Sequence, residues 1–283
     1  MTAKRGRTFG GRLDPGLSMP IEILAHEDVI VGVVILDPTV SVASMTDVAG
    51  NTYTLKVQVA YDHHLKTEQW EAQDCLAGDK ETNFLTITLT TPAVLVVAVE
   101  VYAGVIPQDG SMTPQDMATA FNYSKRPTCG LAVQEVGNLI VGIMGFRVDP
   151  GINYSIQGGN EDGTIRQSYL PAQDAGFPIH EPSVGIVLMD VVGQVAATVP
   201  LGVGISAPGY WTATALELRG NGIDDGHGGG SGEGTGATGV LQWSFTYTQT
   251  APGTPSTPET ATVTCTFVDG GCPEDDAKGN FAY

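Results

Sequence analysis

The sequence is poor in basic residues, in cysteine and in long apolar runs, and each shortage closes off a class of function. With 13 Lys and Arg against 31 Asp and Glu, the formal charge is −18. Such a surface repels nucleic acid and keeps the chain in solution. Four cysteines, Cys75, Cys129, Cys265 and Cys272, include no C-x-x-C pair, so a zinc knuckle lacks ligands at the usual spacing. The nearest two, in CTFVDGGC, leave two readings open. One is a local disulfide, the other the reduced, partly buried thiols usual for a protein made in a cytoplasm. The longest apolar runs, such as residues 93–99, have strand length, well below the roughly 20 residues of a membrane helix. No apolar stretch follows the basic start, so export by the general secretory route is not expected.

Catalytic signatures are equally scarce. There is no G-x-S-x-G, no Cys/His nucleophile pairing and no G-x-x-x-x-G-K-[ST] phosphate cradle. With 31 acids, any pair of carboxylates can be imagined across a cleft, so a glycosidase reading gains nothing from their presence. His63 and His64 are adjacent, beside Asp62, and neighbours on a strand point to opposite faces. His180 lies between Pro178 and Pro182, and His227 sits with Asp224 and Asp225 in a glycine-rich stretch; both read as loop. Asn160, Glu161, Asp162 and Gly163 offer oxygen ligands without the spacing of a calcium loop. No enzyme, metal or cofactor is expected.

What the chain does have is alternation. Residues 40–61, VSVASMTDVAGNTYTLKVQVAY, read as two strands joined by a turn. Tyr53, Leu55, Val57, Val59 and Tyr61 fall on one side and Thr52, Thr54, Lys56 and Gln58 on the other. Gly50-Asn51 accepts the positive φ of a hairpin turn, and Asp47 is placed to bond forward into it. Residues 29–36 and 93–102 are apolar on both faces, as in strands covered from two sides. Strands are also expected at 68–76, 84–90 (ended by Pro92), 136–146, 165–170 and 211–218, with 184–192 and 194–203 as a pair. Thr113, Pro114 and Asp116 signal a helix start, with Met117 and Phe121 as the face of a short helix. With 37 Gly and 17 Pro, much of the remainder is turn. The sum is an all-β chain.

The ends differ from the middle. The first twelve residues carry Lys4, Arg5, Arg7 and Arg12 and no acid. The other 271 therefore hold nine bases against 31 acids, a charge of −22. A basic segment on an acidic body suggests an extended arm reaching an acidic neighbour. Residues 14–27, with Pro15 and Pro20, read as irregular. Residues 220–239 have the composition of a flexible linker. Beyond them, Trp243, Phe245 and Tyr247 share one face of a strand, and residues 260–268 form its partner. A two-stranded ribbon is marginal alone, so it needs a covering surface on the body or on another subunit. The acidic tail ends on Phe281 and Tyr283, which are placed to tuck into a neighbour. The expected organisation is thus a basic arm (1–20), a sandwich (21–219), a linker (220–239) and a ribbon with tail (240–283).

The order VIVGVVIL, SVASMTDVAGNTYTL, TEQWEAQDCLAGDKETNFLTITL, VLVVAVEVYAGV, EVGNLIVGIMGF and YWTATALEL resembles a jelly-roll β-sandwich module of phage virion and bacterial surface proteins. The resemblance rests on D-x-A-G-N-T-Y at 47–53, the tryptophan strand at Trp70, T-x-T at 86–88 and E-V-Y-A-G at 100–104. It spans residues 21–220. It implies a lectin-like or immunoglobulin-like sandwich that binds or builds, and supplies no catalytic residues to carry over. The arm and the ribbon depart from the module and look like additions for assembly. The expected role is that of a virion structural protein, a decoration, cement, turret or fibre subunit on the particle surface, made in the host cytoplasm. Its expected partners are copies of itself in a trimer or higher symmetric assembly, and other virion proteins such as the major capsid protein. Lys4, Arg5, Arg7, Arg12, Trp243, Phe245, Tyr247, Phe281 and Tyr283 are the candidate contact residues. The alternative is a carbohydrate-binding or adhesin module for host-surface glycans. Trp70, Trp211 and Trp243 would be its stacking platform, although the first two read better as core anchors.

Overall fold

A computed structural model describes residues 2–105, 117–133, 137–152, 154–159, 163–171, 181–193, 198–219, 239–248 and 258–267, with the backbone alone at 2–15, 158–159, 239–248 and 258–267. The described residues form strands and turns only. The strands are β1 (Thr2–Pro20), β2 (Glu27–Ile35), β3 (Val42–Thr46), β4 (Thr54–Tyr61), β5 (Leu65–Ala72), β6 (Phe84–Ala103), β7 (Met117–Ser124) and β8 (Thr128–Ala132). They continue with β9 (Leu139–Val148), β10 (Ile156–Gly159), β11 (Thr164–Tyr169), β12 (Ser183–Val192), β13 (Thr198–Ile205), β14 (Gly209–Leu218), β15 (Gly239–Thr248) and β16 (Pro258–Phe267). All pairings between them are antiparallel. The chain divides into two compact units, Met1–Ile223 and Asp224–Tyr283.

The first unit is a stack of sheets. One sheet runs β1-β6-β2-β5-β4, with β3 pairing on the near half of β6; a second runs β11-β12-β9-β14-β7; a third, smaller one runs β10-β13-β8. Three apolar cores separate the layers. Val29, Val31, Val33 and Ile35 of β2 join Leu95, Val97, Val99 and Val101 of β6 in the first core, under Met19, Ile21, Val42, Met45 and Leu85. The opposite face of the same strands, Ile30, Val34, Val96, Ala98 and Tyr102, meets Leu139, Val141, Ile143, Ile186, Leu188 and Leu216 of the second sheet. The far face of that sheet, with Ile140, Met144, Phe146, Met189 and Trp211, packs on Leu131, Leu201 and Val203. Both large sheets are thus covered on both sides, which is why β2, β6 and β9 read as continuous apolar runs. Each fully buried aliphatic side chain contributes about 1.5–3 kcal/mol, against less than about 1 kcal/mol for an exposed pair such as Lys80–Glu81. The cores therefore decide the fold.

The two halves of this unit repeat one plan. β1-β6-β2-β5-β4 and β7-β14-β9-β12-β11 have the same order when read in chain sequence. The long β1 and β6 of the first half correspond to β7 with β8, and β13 with β14, in the second. The register fixes the match to the residue. A one-residue bulge falls between Leu55 and Val57 where β4 meets β5, and between Ile165 and Gln167 where β11 meets β12. The bulged residue is basic in both. Lys56 Nζ lies 3.0 Å from Glu71 Oε2, and Arg166 Nε donates to Asp190 Oδ2 at 2.7 Å. Glu71 and Asp190 are themselves equivalent, opposite Thr54 and Thr164. Met19, Ile21 and Ile23 of the first core match Cys129, Leu131 and Val133 of the third. The first unit is a duplicated sandwich, its halves packed back to back.

Several expectations are corrected. The basic arm is not free: residues 2–20 form β1, paired along β6. Without it the outer backbone groups of β6 would lack partners. Pro15 is accommodated in a register shift between Asp14 and Gly16 at the sheet edge. The 40–61 hairpin is not a hairpin either. β3 pairs with β6 and β4 with β5, so the turn joins two strands of one sheet that do not pair with each other. Asp47 holds that turn, accepting from the N–H of Gly50 (2.8 Å) and Asn51 (2.9 Å) and from Tyr53 Oη (3.0 Å). The bulge at Lys56 switches faces midway, so Tyr53 lies in the first core and Tyr61 packs on the middle one. Pro92 does not end a strand, since β6 runs through it. Residues 117–124 are strand rather than helix, with Ala118 and Ala120 packed on the third core; residues 106–116 lie outside the described residues. β12 and β13 belong to different sheets rather than forming a pair.

Where the large sheets face each other, two glycines leave no room for a Cβ. A Cβ on Gly32 would stand 2.7 Å from Ile143 Cδ1, and one on Gly145 would meet Thr67 Oγ1 at 2.5 Å and Val34 at 2.7 Å. Packing with so little slack tolerates no added methyl groups. Gly145→Val and Gly32→Val are each expected to lower stability by roughly 1–3 kcal/mol, read as a lower urea midpoint with the fold retained.

Candidate interaction surface

Two groups of side chains stand out from the cores: a ring cluster at one edge of the stack and a polar seam between the large sheets. The ring cluster is built by strand register. β7 pairs with β14 so that Tyr123 stands opposite Tyr210 and Phe121 opposite Thr212. The Tyr123 and Tyr210 rings lie 4.8 Å apart, tilted by 55°. Trp211 pins the end of β7 by donating from Nε1 to Ser124 Oγ at 2.9 Å. β4 packs over β7, bringing Tyr61 to 5.0 Å from Phe121 and 5.5 Å from Tyr210. The tight turn after β4 has Asp62 at φ 36° and His64 N donating to Tyr61 O at 2.8 Å. It lays the His64 ring flat on Tyr210, 3.4 Å between centroids and 12° between planes. Aromatic pairs of this kind contribute about 0.5–1.5 kcal/mol each beyond their burial. Yet Phe121 and Tyr123 remain 55% and 51% exposed.

A polar rim flanks the rings. Arg147 Nε donates to Asp149 Oδ1 at 2.6 Å, and its Nη1 lies 3.3 Å from His64 Nδ1. Burial, followed by the Arg147 charge, holds the imidazole below its ordinary value. It is therefore neutral at pH 7, with Nδ1 accepting and the proton on Nε2. His63 points away and is 90% exposed beside Asp62. Beside Arg147 and His63 lies an open depression of about 350 Å³, lined also by Asp37, Thr39, Val94 and Pro182. Among the described residues no three His, Cys, Asp or Glu side chains are grouped to hold a metal ion.

The seam runs along the contact between the large sheets, from Tyr102, opposite Asp28 of β2, to Thr67, opposite Val34. Tyr102 Oη donates across the sheets to Asp190 Oδ2 at 3.1 Å, and Gln167 Nε2 reaches back to Glu100 Oε2 at 3.1 Å. Thr67 and Thr212 share a hydrogen bond of 2.7 Å, and Gln69 Nε2 donates to Val141 O at 3.2 Å. Asp28 stands opposite Tyr102 in the register and is 1% exposed. Its Oδ1 accepts the Asp74 N–H at 2.8 Å, while Oδ2 has no partner. Burial chiefly pushes its carboxyl up to about 7, the Asp74 N–H opposing and the Glu71 and Asp74 charges reinforcing. Burial also raises Glu100, against the pull of Gln167 and Arg166.

The residues singled out from sequence are scattered. Lys4, Arg5, Arg7 and Arg12 lie in β1, at the edge of the first sheet. Trp243, Phe245 and Tyr247 alternate along β15, opposite Val263, Ala261 and Glu259 of β16. Phe281 and Tyr283 lie outside the described residues, as do His180, His227 and residues 160–162. Trp70 donates from Nε1 to Glu68 at 3.0 Å and packs on the first core; Trp211 is buried in the third. Cys75 and Cys129 are buried free thiols, both pushed up to about 12 chiefly by burial. The ring cluster went unread because Met117 and Phe121 match helical spacing, whereas Phe121 and Tyr123 match a strand. The seam acids carry no local signal at all. Comparison of the chain with protein-family models, curated proteins and solved structures returns no match.

Asp28 gives the unit a pH dependence of defined sign. The folded chain keeps its proton up to about pH 7, while the unfolded chain releases it near 3.8. Stability from this group is therefore full at acid pH and is lost as pH rises across that window. Each tenfold change in proton affinity is about 1.4 kcal/mol. Asp28→Asn is expected to flatten the fall of the urea midpoint between these two values and to exceed the wild type above pH 7. Glu100 leaves a weaker slope of the same sign.

Proposed function

We propose that the chain is a non-enzymatic structural protein of a phage virion, a capsid decoration, cement, turret or fibre subunit held by protein–protein contacts. It is made in the host cytoplasm and carried on the virion surface. The observation that supports this reading best is the C-terminal ribbon. β15 and β16 pair only with each other and belong to a unit separate from the sandwich body. Two strands cannot bury a hydrophobic face between them, and β15 carries Trp243, Phe245 and Tyr247 at alternate positions. Such a stripe requires a surface to cover it, and neighbouring subunits of a symmetric homo-oligomer or the major capsid protein supply one. The body, packed around three apolar cores, suits the role.

The alternative, a carbohydrate-binding or adhesin module, would draw on the half-exposed rings of Phe121 and Tyr123, because Trp70 and Trp211 are taken up in the cores. A glycan array separates the two readings, since the structural reading needs no saturable saccharide binding. A chain ending at residue 223 is expected to fold as a soluble body and to be lost from purified particles by mass spectrometry. Incorporation at the level of the full chain would remove the ribbon from the account.

A further inference from the structure

Each large sheet ends in two edge strands, and the four differ in whether they admit a further strand. An edge with an open row of N–H and C=O groups is a template for pairing, and natural sheets block it with charge, proline or bulges. Three of the four carry such blocks. β1 has Lys4, Arg5, Arg7, Arg12 and Pro15, and three register shifts along β6. β4 has a shift at Lys56, and β11 has one at Arg166. β7, MATAFNYS, has none of these. It carries no charge and no proline, and it runs along β14 from Met117 to Ser124 without a shift. Among the described residues it pairs with β14 alone. Its Phe121 and Tyr123 are the half-exposed rings of the aromatic cluster.

We infer that β7 of one copy pairs antiparallel with β7 of a second, about a two-fold axis through Phe121, so that two bodies join sheet edge to sheet edge. The occupant follows from what the edge accepts. A row of backbone groups without bulges is matched by another extended strand of unbroken register, and every copy brings one in β7 itself. A two-fold contact also requires that the strand suit itself. Opposite residues of an antiparallel pair share a face. With Phe121 on the axis it meets its own copy, Tyr123 meets Thr119, Ala120 meets Asn122 and Ala118 meets Ser124. No like charges stand opposite one another. Lys125, Arg126, Arg147, Asp62 and Asp149 gather at the Tyr123 end of β7, around His64 and Tyr210. Antiparallel pairing sets that mixed-charge end against the Met117 end of the second copy, so it does not meet itself. Phe121, already 5.0 Å from Tyr61, gains an apolar neighbour on its open side. β15 is a further uncharged strand without a shift. A second β7 is favoured over it because both copies' rings lack the same cover, and one contact serves both. A single strand pair is a small contact of the weak, reversible class. The inference deepens the assembly reading above, on which it rests, by naming the body surface where two copies meet.

Substitutions at the axis test it in the full-length chain. Phe121→Lys and Phe121→Glu each set like charges opposite one another, which destabilises a strand pair. By sedimentation equilibrium the wild type is expected to dimerise with rising concentration and each variant alone to stay monomeric. An equal mixture of the two is expected to recover one-to-one dimers. Phe121→Cys is expected to give a disulfide-linked dimer under mild oxidation, identified by mass spectrometry of the linked peptide. Directly opposite Cα atoms lie about 4.5–5.5 Å apart, within reach of such a bridge. Circular dichroism and thermal melts establish that the variants fold, and the cysteine variant decides the matter where a charged one does not. A wild type that is monomeric throughout, a charged variant that dimerises like the wild type, or a mixture without dimers overturns the pairing. Dimers that the lysine variant loses, the mixture does not restore and the cysteine variant does not link point to another strand such as β15, and overturn it too. So does saturable glycan binding by a monomeric protein that Phe121→Lys abolishes. A monomer found in purified particles rejects this contact and leaves the virion reading standing. A dimer formed by a chain absent from particles does the reverse.

Discussion

The first unit is organised around a contact between two sheets in which two glycines leave room for the side chains facing them. Gly32 leaves room for Ile143, and Gly145 leaves room for Val34 and Thr67. This close approach buries the second face of β2, β6, β9 and β12, which a single sandwich would leave to solvent. Once those faces are covered, each half can be apolar through its whole thickness. The polar groups that remain in the contact must then find partners within it. Thr67 with Thr212, Gln69 with Val141 and Tyr102 with Asp190 do so. Directional bonds of this kind fix the register of one half against the other, which apolar packing alone specifies less sharply.

Duplication explains why the molecule has this form. A sandwich with one oily outer face would associate with a second copy of itself. Joining two in one chain makes that association intramolecular and independent of concentration. The conserved geometry lies where it constrains the backbone: the same bulge, a basic residue in it, and a carboxylate opposite, as Lys56 with Glu71 and Arg166 with Asp190. The bulge bends the strand and aims the cation at the acid, so neither charge is buried unpaired. Elsewhere the halves have diverged. The Asp28 position is Leu139 in the second half, and the long bent β6 has become the separate β13 and β14.

Much of this was legible in the chain and some was not, for physical reasons. Strand identity came through wherever burial follows the pleat: β2, β9 and β14 appear where the apolar runs are. The Asp47 turn was legible too, because Asp, Gly and Asn each have a local reason to be there. Pairing was not, since alternation says which face a residue takes and nothing about which strand lies beside it. The clean pattern from Tyr53 to Tyr61 hid a bulge, because alternation along one strand does not show how many residues stand opposite on its partner. β1 was misread because its charges and prolines describe an edge strand and a free arm equally well. β7 was misread because four-residue spacing suits a helix until β14 is known to lie alongside.

The same layering determines where such a molecule is able to interact. Both broad faces of each large sheet are spent on cores, so unpaired backbone groups of these sheets fall on their edge strands, among them β1, β4, β7 and β11. Two of these cover the other two across the stack, β4 over β7 and β1 over β11, which leaves two composite edges. A body carrying −22 outside its first twelve residues is, on average, repelled by its own copies. β1 concentrates four of the thirteen basic residues in one edge strand. Apolar contact area is offered at the opposite edge, by rings whose inner faces are already committed to Tyr61 and Tyr210. A substitution at an outward position of an edge strand therefore changes what that edge offers, whereas Met19 of β1 and Ala118 and Ala120 of β7 are held by the cores.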